Sequence, residues 1–304
     1  MKKFLTSSLR LILFLGLIFY VGVALSQAKK KIEIESFKDL EYVRHGDVSV
    51  KLDLYVPEDE GPFPLVVWIH GGGWVSGDKN DCPILNLGYC QNGYAAASIG
   101  YRLSPVAPFP AQIEDCKAAI RWLRANAKKY KIDPDRIGVI GGSAGGHLVC
   151  MLGVTGKNRV FDVGENLDQS SAVQAVCNLF GPTDLPNGLD GLDPNTDLTK
   201  ALIDMYTKLL GGPMEDKMEL AKSASPITYV DENAPPFLHA HGTVDLLVPV
   251  EQAEKLHDKL RQMGVSSRLF LIPRAGHGDR GFFTPQLFEE ILIFFDKHLK
   301  SAKE

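Results

Sequence analysis

The chain has little cysteine, no repeated segment, no low-complexity tract and no block of like charge, and each absence removes a class of protein. Five cysteines among 304 residues, Cys82, Cys90, Cys116, Cys150 and Cys177, are too few and too scattered for a disulfide-built scaffold. Their odd number leaves at least one thiol free. Cys150 and Cys177 lie in apolar runs and read as small core residues. Cys82 could pair with Cys90 or Cys116 in an oxidising compartment, and spacing does not decide it. No CxxC or Cys/His cluster points to a metal. A formal net charge of −4 argues against a nucleic-acid partner, because phosphate binding needs grouped Lys and Arg. What remains, 45% apolar and 23% charged, is ordinary for a globular protein.

The first residues differ in composition from the rest. Lys2, Lys3 and Arg10 precede an uncharged run from Leu11 to Leu25, with Ala24 and Ser26 behind it. A basic start, a short apolar stretch and an Ala-x-Ser site are the features of a secretory signal peptide, read here as residues 1–26. Cleavage is expected after Ser26, or else after Ala28. The product would be exported, periplasmic or secreted, with no stable membrane insertion after cleavage. The alternative is an anchor left uncleaved, since the run approaches the length of a spanning helix. Losing three cations with the leader takes the formal charge from −4 to −7.

From residue 27 to 304 the pattern is that of a single catalytic domain of alternating strands and helices. Val48–Val56 alternates apolar and polar residues and reads as an exposed edge strand after a polar lead-in. Leu65–His70, Tyr94–Gly100, Ile137–Ile140 and Val173–Phe180 are near-continuous apolar runs, as expected of strands buried on both faces. Phe237–Gly242 and Ser267–Ile272 complete the set. Helices are expected over Pro110–Tyr130, from Ser143 onward, and over Leu198–Leu210, Pro249–Met263 and Thr284–Leu299. In the first of these, Ile113, Ile120 and Leu123 share the apolar side, with Glu114, Lys117, Arg121 and Arg124 mostly opposite. Such alternation implies an α/β fold with a mostly parallel, doubly wound sheet and helices on both faces. Residues 185–225, rich in Gly, Asp and Pro, read as an insertion: a small cap over the sheet edge, or a plain surface excursion.

Two glycine-rich turns carry the chemistry. Gly141-Gly142-Ser143-Ala144-Gly145 is a G-x-S-x-G pattern between an apolar strand and a helical run. There a serine on a sharp turn projects its hydroxyl above the sheet, beside the free N–H groups of a helix start. His70-Gly71-Gly72-Gly73-Trp74 also ends a buried strand. Its three glycines let the backbone bend until its N–H groups, with that of Ala144, face the position of a tetrahedral oxyanion. Neither phosphate-loop pattern, G-x-x-x-x-G-K or G-x-G-x-x-G, is present. His70 itself reads as a brace for the loop.

Serine needs a base held in the right tautomer. Of eight histidines, His277 lies in a glycine-flanked loop after the last strand, at the same sheet edge as Ser143. His147 would point down the helix, His239 and His241 belong to a strand, and His45, His257 and His298 lie in polar surroundings. For the orienting acid, Asp245 follows Phe237–Gly242. Asp184 is the competitor, and Asp279 is too close in sequence to His277.

These residues resemble the α/β-hydrolase superfamily, specifically its hormone-sensitive-lipase-like carboxylesterases and the related bacterial feruloyl and acetylxylan esterases. The resemblance runs through HGGGW (His70–Trp74), YRLSPVAPFPAQIEDCKAAIRWLRAN (Tyr101–Asn126), DPDRIGVIGGSAGGHL (Asp133–Leu148), HGTVDLLVP (His241–Pro249) and AGHG (Ala275–Gly278). It implies hydrolysis of carboxylic esters with no cofactor, Ser143, Asp245 and His277 as the triad, and Gly72, Gly73 and Ala144 as the oxyanion hole. Val106 stands where the lipase-like relatives usually have Glu, and little chain lies between the leader and the first strand. Both departures favour the feruloyl/acetylxylan group, and so a small-molecule or polysaccharide-linked ester substrate. Amide hydrolysis by the same triad, as in formamidases or short-peptide peptidases, and a non-catalytic binding module are the competing readings. Trp74, Phe109 and the 185–225 insertion are candidate pocket walls. Oligomeric state is not readable from the residues.

Overall fold

The computed structural model describes residues 31–81 and 88–300. The leader at 1–26, its cleavage or anchoring, and Cys82 lie outside the described residues. The strands are β1 Ile34–His45, β2 Val48–Pro57, β3 Phe63–Ile69, β4 Ala95–Ile99, β5 Ile132–Gly142, β6 Ala175–Leu179, β7 Phe237–Gly242 and β8 Ser267–Ile272. They form one sheet in the order β1-β2-β4-β3-β5-β6-β7-β8. The β1/β2 and β2/β4 pairs are antiparallel and the remaining pairs parallel. The main helices are α1 Ala111–Ala125, α2 Ala144–Thr155, α3 Asp197–Leu210, α4 Met218–Ser223, α5 Glu251–Gln262 and α6 Pro285–Phe295.

Side-chain alternation on the central strands explains the two layers of helix. Leu65, Val67 and Ile69 of β3 belong to one core with Ile113 and Ile120 of α1, Leu148 of α2 and Leu256 of α5. Val66 of the same strand points into a second core with Leu287, Ile291 and Phe295 of α6. A strand with apolar residues on both faces reads as a continuous run for this reason. Here the α/β-hydrolase architecture agrees with the pattern of the sequence.

One expectation is corrected, and two open points find an answer. The polar lead-in is strand β1, which pairs along β2 from Ile34 to His45, so β2 is not the edge. Its Asp53 is consequently covered: the residue is fully buried, with Lys38 Nζ at 3.0 Å and Lys79 Nζ at 2.8 Å. The side of α1 opposite its apolar residues is also covered in part. Lys117 and Arg121 are fully buried beneath the loop that follows α2, where Asp162 accepts from Lys117 Nζ at 3.0 Å and pairs with Arg121 at 3.4 Å. Finally, Cys90 and Cys116, the suggested partners of Cys82, are free and buried. Burial pushes the Cys90 thiol up to about 12.

Strand order positions the site. From β3 the chain goes outward to β4 and then returns to place β5 on the other side of β3. The C-terminal ends of β3 and β5 therefore lie side by side, with Ile69 opposite Gly141, and their loops diverge above the sheet. Such a switch point is where open α/β sheets form their crevice.

Candidate active site

Ser143 sits immediately after β5 with φ 55° and ψ −122°, a conformation that L residues other than glycine rarely adopt. Its N–H is tied to the Leu179 carbonyl at 2.9 Å, and its own carbonyl receives the His147 N–H at 2.9 Å. Those bonds hold the strained turn between β5 and α2. The turn also demands close approach: a Cβ on Gly145 would run into the carbonyl oxygen of Ile69. Glycine at the end of the G-x-S-x-G pattern is thus a packing requirement of the β3–β5 junction.

His277 must reach back from the end of β8 to the end of β5. Three strand spacings separate them, about 14 Å, and the loop after β8 spans that gap. Asp279 shapes the loop by accepting the N–H groups of Gly276 and Gly281, both at 2.8 Å. The imidazole Nε2 then lies 2.9 Å from Ser143 Oγ, and Nδ1 lies 2.8 Å from Asp245 Oδ2. An ionised carboxylate only accepts, so Nδ1 carries the proton and Nε2 is left free to take one from the serine. Phe180, at the end of β6, supports the ring edge-on with centroids 4.8 Å apart.

The Asp245 side chain is fully buried. Burial alone would raise its pKa. Hydrogen bonds from His241 and His277, with those from the N–H groups of Leu247 and Val248 at 2.9 Å each, outweigh that and hold it well below the usual carboxylate range. His241 donates mainly to the Val248 carbonyl at 2.8 Å and lies 3.5 Å from Asp245 Oδ2. The carboxylate of Asp184, the competing acid, accepts from Asn187 Nδ2 at 2.7 Å instead, and Gln252 holds its backbone.

The loop after β3 turns through Gly72, whose carbonyl accepts the N–H groups of Val75 and Ser76 at 3.1 Å. Among the described residues, none accepts a backbone hydrogen bond from the N–H of Gly72, Gly73 or Ala144, and all three residues line the same pocket as Ser143. Gly73 has φ 58°, and Met205 of α3 packs where a Cβ would stand. Behind the loop, Trp74 donates through Nε1 to His147 Nδ1 at 3.1 Å, and His147 Nε2 donates to the Ala224 carbonyl at 2.6 Å. Burial lowers His147 to about 4, so it is a neutral strut between the loop, α2 and the insertion. His70 stacks on Tyr101 at 4.2 Å and bonds the Gly71 carbonyl at 2.8 Å, the bracing role expected of it.

These groups open into a pocket of about 410 Å³. Gly72, Gly73, Ser143, Ala144 and His277 form its floor, and Trp74, Phe180, Leu202, Met205, Tyr206 and Leu247 are among its walls. No carboxylate, lysine or arginine lines it among the described residues. The structure brings together Ser143, Asp245, His277, Gly72, Gly73, Ala144 and Trp74. It does not bring Phe109, which lies outside the pocket, packed edge-on against Phe161 at 5.4 Å. Residues 185–225 contribute Leu202, Met205 and Tyr206 to the wall. Phe180, Met205 and the Trp74–His147 pair were not anticipated. Only the strand-end position of Phe180 carried a signal in the sequence. Among the described residues no group of His, Cys, Asp and Glu is placed to hold a metal ion, and no helix is long and apolar enough to cross a membrane.

Known proteins resemble this chain in sequence and in fold. Esterase LipC of Mycobacterium tuberculosis is 34% identical over 243 residues, covering 78% of this chain and 59% of that protein. The chain thus spans somewhat more than half the length of that relative. A truncated carbohydrate esterase from gut microbiota superposes with a TM-score of 0.78 at 31% identity, covering 90% of this chain and 99% of the other. A bifunctional GH43-CE protein of Bacteroides eggerthii gives a TM-score of 0.77 at 32% identity, over 87% of this chain and 35% of its own. Residues 52–260 match the BD-FAE family, a span that holds Ser143, Asp245 and the glycine loop and stops short of His277. On this match, and on an α/β-hydrolase sheet with the serine at its switch point, the chain belongs to the BD-FAE family.

Proposed function

We propose that the protein is a serine carboxylesterase acting on short-chain or aromatic acyl esters, feruloyl or acetyl groups on plant polysaccharide among them. The observation that carries this reading is the unbroken line from Asp245 through His277 to Ser143, at 2.8 and 2.9 Å, on the floor of an uncharged pocket. Ser143 Oγ attacks the ester carbonyl while its proton passes to His277 Nε2. The oxyanion is met by the N–H groups of Gly72, Gly73 and Ala144, and removing one such donor costs about 3–4 kcal/mol of barrier in comparable sites. The imidazolium, steadied by Asp245, gives its proton to the departing alcohol. Water, activated by the same base, then releases the acid. An apolar wall without fixed charge suits a neutral acyl group, and the likeness to a carbohydrate esterase supports a sugar on the alcohol side. The test is a panel of acetyl to butyryl p-nitrophenyl esters, methyl ferulate and acetylated xylan, beside an anilide with the same acyl group. Faster turnover of the anilide than of the matched ester would contradict the proposal in favour of an amidase.

A further inference from the structure

Two apolar cavities share one side chain. The first is the catalytic pocket. The second, about 330 Å³, is lined by Trp68, Ile140, Leu179, Phe282, Phe288 and Ile291, among others, and the chemistry above does not use it. Phe180 lines both. Its ring lies edge-on to His277 at 4.8 Å and edge-on to Phe282 at 4.4 Å. His277 belongs to the catalytic pocket and Phe282 to the second cavity, so the phenyl ring stands between the two spaces. Its place is fixed by the backbone: φ is 44°, rare for a bulky residue, and the N–H is held by the Ala240 carbonyl at 2.9 Å. Neither cavity has a carboxylate, lysine or arginine in its wall among the described residues. A hydrocarbon chain passing from one to the other would meet no fixed charge.

We infer that Phe180 is a specificity-determining partition, which confines the acyl group to the catalytic pocket and closes it off from a latent subsite for the distal methylenes of an unbranched fatty acyl chain. The inference rests on the esterase reading above. A residue that only supported His277 would scale the rates of all esters alike, whereas a partition controls their ratio.

The test is kcat/KM for p-nitrophenyl acetate, butyrate, octanoate and decanoate with the wild type, Phe180→Ala and Phe180→Leu. Burying one methylene multiplies affinity by about fourfold, so the octanoate-to-acetate ratio should rise at least about tenfold in Phe180→Ala and by less in Phe180→Leu. The rise should appear mainly as a lower KM for the long esters. A ratio unchanged in both variants while all rates fall together would overturn the partition and leave the esterase reading standing. If Phe180→Ala does not fold, Phe180→Leu decides the matter on the same ratio. A wild type inactive on every ester would overturn both readings, and it is measured first.

Discussion

Asp245 and Asp162 are both carboxylates withdrawn from water and held in the charged form, yet their surroundings are built in opposite ways. Asp245 at the sheet rim is met by two imidazoles and two peptide N–H groups, none of which carries a permanent charge. Its negative charge remains available to steady an imidazolium forming on His277. Asp162, in the loop after α2, is met by Lys117, Arg121 and Arg159, with Ser171 Oγ at 2.7 Å. Burial would raise the pKa of Asp162, but the Ser171 and Lys117 hydrogen bonds and the nearby cations lower it. There the cations outnumber the anion, and the charge is consumed in holding a loop against α1. A buried carboxylate can therefore serve chemistry when dipoles hold it and architecture when cations do.

The comparison breaks most severely if the two aspartates exchange roles under mutation. Asp245→Asn should lower kcat/KM for p-nitrophenyl acetate by about 10⁴, because an amide in place of the carboxylate favours the wrong imidazole tautomer. Thermal melting should change little by comparison. Asp162→Ala should do the reverse, leaving Lys117 and Arg121 buried without their partner. Urea unfolding is expected to show a loss of about 3–5 kcal/mol, with kcat/KM of the folded fraction within about twofold of wild type. A large catalytic defect in a stable Asp162→Ala protein would contradict the distinction.

The smallest effect lies in the pH dependence of stability. Both aspartates have lowered folded pKa values. What they contribute is present above the unfolded value near 3.9 and is lost only as pH falls through still lower folded values. Loss above about pH 5 is expected from buried histidines. His147 protonates near 6.5 when unfolded and at about 4 when folded, burial being the main cause. The unfolded chain binds the extra proton in that window, so stability falls as pH drops from about 6.5 towards 4, by about 1.4 kcal/mol per pH unit for this residue. His147→Gln should flatten the curve by that amount in urea titrations between pH 4.5 and 7. An unchanged slope would place the loss elsewhere.

The same contrast explains what the sequence made legible. Ser143, Asp245, His277 and the glycine loop each lie in a short stretch at a strand end, and strand ends are announced by local apolar runs. The order of those runs was enough to bring the residues to one rim. Burial of Lys117 and Arg121 was not legible, because helical spacing cannot say that the loop after α2 folds back over them. Strand β1 was hidden by its polar residues, since an edge strand buries little. Phe109 packs against Phe161 instead of lining the pocket, whose aromatic residues are Trp74, Phe180 and Tyr206. Asp184 and Asp245 both follow strands, and only the return path of the His277 loop separates them. In each case the missing information was which distant segment covers a given face.

The account depends on Ser143 as the nucleophile. Initial rates of p-nitrophenyl acetate hydrolysis for the wild type and Ser143→Ala, with melting followed by circular dichroism, test it most directly. The expected result is a loss of at least about 10⁴ in kcat/KM with an unaltered melting transition. A folded Ser143→Ala protein that keeps most of its activity would contradict it.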